Sequence, residues 1–161
     1  MGLAEDIERM KVQEAKLQFA EFGAETAWTI GSKLRDRSIA LGAGMTFEIQ
    51  VAGRMLFAVA MNGAAQGQED WIRRKRNTVM RFGRSSYHVG RQLVLDGTTL
   101  EERQGLKLAD YAAHGGGFPV VLRGTGLVGT VVASGLPQRD DHEMVVAVLA
   151  EVLGVTGVAL D

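Results

Sequence analysis

The sequence predicts an α+β fold, an antiparallel sheet covered by helices. Three observations carry this. Strand-like segments arrive as two adjacent pairs, at 45–61 and 118–134, and not singly between helices. Helical periodicity fills the stretches before, between and after those pairs. A chain of 161 residues, 46% of them hydrophobic, is long enough to bury the core of one domain.

Each element follows from its local pattern. Residues 3–18 set Leu3, Ile7, Met10 and Leu17 among charges, the mark of an exposed amphipathic helix. A second helix over 24–41 carries Ala27, Ile30, Leu34 and Ile39 as an apolar stripe, with Gly42 and Gly44 where it stops. MTFEIQV (45–51) and RMLFAVAM (54–61), joined by Ala52-Gly53, read as a hairpin, and NGAAQGQ (62–68) reads as a loop. A long helix then starts near Glu69 and Asp70, acids that favour its dipole, and offers Gly83 and Gly90 as breaks. TTLEERQGL (98–106) is a short helix capped by Thr98 or Thr99. FPVVLRG (118–124) and GLVGTVVAS (126–134) form the second strand pair. Pro137 opens the last helix, Gly154 closes it, and Met144, Val145, Val148, Leu149 and Val152 give it an apolar face. The tail 155–161 is expected to be loosely attached.

Composition narrows the chemistry. The chain has no cysteine, which removes disulfides, thiolate nucleophiles and sulfur-ligated metal centres. A net charge of −1 and the lack of interleaved aromatics argue against nucleic acid as a partner. The acidic N-terminus has no export-signal pattern, and no apolar run reaches the ~18 residues of a membrane span. A cytoplasmic protein without a membrane partner is the expectation.

The segment AHGGGFPV (113–120) is the most informative stretch. Phosphate cradles place glycines after a strand and before a helix, so that helix amides meet the anion. Here the glycines precede a strand, and no Gly-Lys-Ser/Thr follows, so this is no nucleotide loop. Gly115, Gly116 and Gly117 permit positive φ and let another group approach the backbone, as either a plain turn or a ligand-facing one. His114 beside them reads as an axial heme ligand, a general base, a hydrogen-bond donor to a small molecule, or a turn histidine bonded to a carbonyl. No histidine pair has metal-ligand spacing, and His88 and His142 are expected at the surface or in local ion pairs.

Arg73, Arg74, Lys75 and Arg76, followed by Arg81, Arg84 and Arg91, encircle one helix, so some must face the protein, another subunit or an anionic ligand. Ser134, Asp140 or Asp141, and His142 have the residue types of a hydrolytic triad. They lack the strained nucleophile elbow, and the two aspartates are explained by the helix dipole.

Taken in order, GGGFPV (115–120), VGTVVASG (128–135) and DDHEMVVAVLA (140–150) resemble the GlcG/HbpS-like heme-degrading domain family. NGA at 62–64 and RRKRNTV at 73–79 are similar to that family's DGA and its lysine-containing helix, with Lys75 and Thr78 on the family's Lys and Thr. WxRRKRN, FGRSSYxVG, DYAAHGG and SGLPQxDDH look closer still to one particular branch. The resemblance covers 45–153, with 1–44 as added N-terminal helices and 154–161 as a tail. Arg76 and Val79 depart from it, standing where alanines are usual. It implies a profilin-like sandwich, homo-oligomeric assembly, and a ligand site near the glycines at which heme is the named candidate. On that reading His114, Gly115–Gly117, Lys75, Arg73 and Arg74 line a pocket for heme or another small anionic ligand. The alternative is a non-catalytic interaction protein whose basic helix forms subunit or partner contacts.

Overall fold

The computed structural model describes residues 2–161. Four strands form an antiparallel sheet in the order β2-β1-β4-β3: β1 Thr46–Val51, β2 Arg54–Ala60, β3 Gly117–Leu122 and β4 Gly126–Ser134. The first hairpin turns at Ala52 and Gly53, both at positive φ (52° and 74°), which matches the right-handed strand twist. β1 and β4 pair centrally, Phe47 opposite Ala133 and Glu48 opposite Val132. Strand alternation therefore sends Phe47, Ile49, Phe118, Val120, Val131 and Ala133 to one face. There they pack against α2 (Ala24–Leu41) and α6 (Gln138–Leu153) in the main core. Thr46, Glu48, Thr130 and Val132 point to the other face, which α3 (Gln68–Phe82) covers.

The long helix expected after Glu69 divides at Gly83, whose φ of 67° ends α3; Ser85 caps α4 (Ser86–Asp96) by accepting from the His88 amide. Gly90 does not break α4. It makes room for the chain opposite, because a Cβ there would lie 2.0 Å from the Ala113 carbonyl oxygen. Thr99 is the cap of the short α5, Leu100–Gln104.

Two expectations change at the periphery. Ile39 is solvent-exposed and takes no part in the α2 stripe. The tail is held: Val158 and Leu160 are buried, Gln13 donates to the Val158 carbonyl at 2.8 Å, and the Leu160 amide donates to Glu143 at 3.0 Å. The tail closes over α1 (Leu3–Lys16), whose buried face (Ile7, Met10 and Gln13) spans one helical side. Beyond α1, the Phe19 amide and carbonyl bond Val121 and Arg123 at 2.9 Å each, covering part of the β3 edge. The outer edge of β2 stays open, with Arg54, Met55, Ala58 and Ala60 exposed.

Candidate functional site

α3 carries the site because its period places Gln68, Trp71 and Lys75 along one side, facing the end of β4 and the start of α6. Lys75 is 3% exposed. Its ammonium donates to the Ala133 carbonyl at 3.0 Å and to Asp141 Oδ2 at 3.2 Å. The other Asp141 oxygen accepts from the Leu136 amide at 2.9 Å, which fixes the β4–α6 turn. Burial acts on both members of the pair. It pushes the Lys75 amine below its usual range and lifts the Asp141 carboxyl to about 6, against the opposing pull of each on the other.

Of the three glycines, Gly116 serves this pair. Gly116 has φ of 132°, and a Cβ there would sit 2.8 Å from Lys75 Nζ and 2.3 Å from the Ala133 oxygen. The missing side chain at Gly116 is what lets the ammonium reach the strand. Gly115 donates its amide to Gln138 Oε1 at 3.2 Å, and Gly117 donates to Ser86 Oγ at 2.9 Å. The segment is thus a close-approach turn whose visitor is a lysine of the same chain.

Above the pair opens a cavity of about 370 Å³. Trp71 and Leu136 give it apolar wall; Lys75, Asp141, His114 and Gln138 give it polar groups. The His114 ring is exposed and stands edge-on to Trp71, with centroids 5.2 Å apart. Partial burial lowers its pKa, helped by the positive charges of Lys75 and Arg74, so the imidazole is neutral at pH 7.

Of the seven residues expected to line the pocket, Lys75 and His114 do so; Gly115, Gly116 and Gly117 are not in the cavity wall, and Arg73 and Arg74 lie elsewhere. Arg73 bonds Asp70, Asp110 and the Ala109 carbonyl, and Arg74 donates to the Leu108 carbonyl at 2.8 Å while lying 4.5 Å from the Trp71 ring centroid. Both pin the 107–112 segment to α3, outside the cavity lining. Arg76 reaches both oxygens of Glu48 across the sheet face, at 2.7 and 2.8 Å. Much of the basic helix is therefore spent inside the chain.

His88 and His142 are buried, contrary to expectation. His88 Nδ1 lies 2.9 Å from Glu14, and His142 Nε2 lies 2.8 Å from Gln13, both partners being on α1. Since Asp141 turns to Lys75 and His142 to Gln13, no Ser134–Asp141–His142 triad assembles. Among the described residues no group of three His, Asp or Glu side chains could hold a metal ion. Asp141, Trp71 and Gln138 are the site residues that sequence reasoning missed. A signal for Asp141 did exist, in the lysine buried at helical spacing with Ile72, Thr78 and Val79, because a buried ammonium requires a counter-charge.

Known proteins share this architecture. The family model described as haem degrading protein HbpS-like matches residues 22–150, so the match begins earlier than the expected 45–153, taking in α2, and ends three residues short of it. A UPF0303 protein of Azotobacter vinelandii is 56% identical over 153 residues, covering 95% of this chain and 92% of its own. Another, of Sinorhizobium medicae, is 45% identical over 154 residues, with 96% and 94% covered. The crystal structure of Ybr137w matches with a TM-score of 0.84 at 27% identity, over 92% of this chain and 87% of its own. Two more distant structures share the fold. HbpS has a TM-score of 0.64 at 21% identity, over 85% and 93% of the two chains, and a PduOC:heme complex has 0.68 at 17%, over 80% and 93%. From the family match and the close relatives together, the chain belongs to the HbpS-like family, alongside the UPF0303 proteins.

Proposed function

We propose that this chain is a homo-oligomeric small-molecule-binding protein whose site is the cavity above Lys75. One observation carries the reading. The Lys75 ammonium has three protons but two acceptors among the described residues, and it lines an open cavity. Leaving a buried donor unpaired costs about 1–3 kcal/mol, more for a charged one, so an oxygen of a ligand is the natural third acceptor. Trp71 and Leu136 would take the apolar body of such a ligand, and the Gln138 amide and His114 would orient it.

Heme is the first ligand to test, since the family description names haem and one structure of the same fold is a heme complex. The residues fit that group at the level of donor chemistry. His114 is exposed, makes no hydrogen bond among the described residues, and is held in the neutral form that binds iron. Lys75 is the cation placed for a carboxylate; Arg73 and Arg74 are not. When bound, heme supplies an iron centre for redox or gas chemistry. The chain's own part is to hold it, with Trp71 shielding one side of the imidazole. The order β2-β1-β4-β3 with helices on both faces supports the profilin-like label. The open β2 edge, with Trp28 and Met55 exposed nearby, supports self-association. No helix among the described residues is long and apolar enough to cross a membrane.

The test is a hemin titration followed by Soret absorbance. A saturable shift lost in His114→Ala supports heme at this cavity. If no shift saturates, heme is excluded, and thermal shifts with benzoate and propionate decide whether a carboxylate binds. In that case the response is expected to vanish in Lys75→Met.

A further inference from the structure

Of the five lysines, Lys75 alone is buried; Lys11, Lys16, Lys33 and Lys107 reach solvent. A buried amine beside a carboxyl group, at the wall of a cavity, is the arrangement that turns a lysine into a nucleophile. The geometry here is closer to that than to a structural ion pair. A structural pair gains nothing from facing a 370 Å³ cavity, and an apolar pair of similar volume would hold the fold as well. Gly116 keeps the lysine's approach clear, and the Leu136 amide holds Asp141 still. Burial favours the neutral form of both groups, which is the proton transfer that frees the amine lone pair.

We propose that Lys75 forms an imine with an aldehyde or ketone bound in this cavity, with Asp141 moving the protons. The inference rests on the cavity reading above and names the class of its occupant. The ammonium first passes one proton to the Asp141 carboxylate. The amine lone pair then attacks the carbonyl carbon; a C–N bond forms, the C=O π pair moves to oxygen, and a proton shifts from nitrogen to that oxygen. Asp141 returns its proton to the hydroxyl, the C–O bond breaks, and water leaves. A protonated imine then stands where the ammonium stood, opposite a carboxylate again. One carbonyl compound is consumed and one water released, with no oxidant or reductant. Trp71 and Leu136 offer the apolar wall for the substituents of the carbonyl carbon.

The experiment treats the full chain with propanal or benzaldehyde in the presence of cyanoborohydride, which reduces imines to stable secondary amines, and maps the adducts by peptide mass. Lys75 is expected to label about tenfold faster than the four solvent-reaching lysines, the advantage of a bound and oriented carbonyl. Asp141→Asn is expected to abolish that advantage. Because the wild-type map alone compares all five lysines, a misfolded variant does not weaken the test. Labelling of Lys75 no faster than of the others overturns the imine. If Lys75 stays unlabelled while hemin or carboxylate binding still depends on Lys75 or His114, only the imine falls. If binding is absent as well, the cavity reading falls with it.

Discussion

The two faces of the sheet are built on opposite principles. Toward α2 and α6, Phe47, Ile49, Val131 and Ala133 meet Ile30, Leu34, Val145 and Leu149, all nearly or fully buried. Toward α3, the same two strands present Thr46 and Glu48, which bond Gln68 and Arg76, and Thr130, whose buried hydroxyl has no hydrogen-bond partner among the described residues. Strand alternation is common to both, so only the side-chain chemistry differs. Apolar burial is non-directional and favourable at each contact, whereas the polar face nears break-even because desolvation offsets most of what its pairs gain. The apolar side therefore supplies the stability, and the α3 side can hold an underpartnered ammonium next to a cavity.

The comparison breaks most directly at Phe47. Phe47→Ala is expected to cost about 4 kcal/mol, measured by urea unfolding, because it empties a fully enclosed site. Lys75→Met comes next, at about 3 kcal/mol, since it strands the Asp141 carboxyl without its counter-charge. Adding Asp141→Leu to that variant should restore most of the loss, which a double-mutant cycle measures directly. If the double variant stays as unstable as Lys75→Met, the charged face is bearing load as the apolar face does, and the contrast fails.

What the sequence could and could not show divides along the same line. β4 was legible to the residue, Gly126–Ser134, because a turn glycine and local alternation mark it. The Ala52-Gly53 turn and the break at Gly83 were legible for the same local reason. Lys75 and the three glycines could be named because they sit in short motifs. Asp141 escaped because its meaning lies 66 residues away, while the helix dipole offered a sufficient local account. For His88 and His142 the local pattern offers only the surface or a local ion pair, because their partners on α1 are 74 and 129 residues distant. The reach of Arg73 and Arg74 into the 107–110 carbonyls is likewise a tertiary fact that no periodicity encodes.

The smallest expected effect sharpens the contrast at an exception on the apolar side. His142 lies on α6, within 5.2 and 6.2 Å of the Tyr87 and Phe118 ring centroids, so the apolar side contains a titratable ring. Burial pushes its pKa down to about 3, with Arg139 and His88 adding to the effect. Below pH 6.5 the unfolded chain binds a proton at His142 that the folded chain refuses, so stability falls as pH falls, by at most about 1.4 kcal/mol per pH unit. Asp141 works in reverse. Its folded pKa of about 6 exceeds the ordinary 3.8, so the folded chain holds the extra proton and gains stability between those values as pH falls. His142→Gln keeps an amide to meet Gln13 and removes the first effect alone. Urea unfolding at pH 7 and at pH 5 is expected to show a smaller acid loss in the variant than in the wild type. Equal losses would mean that His142 takes up its proton in the folded chain, and the apolar side would then be wetter than its packing implies.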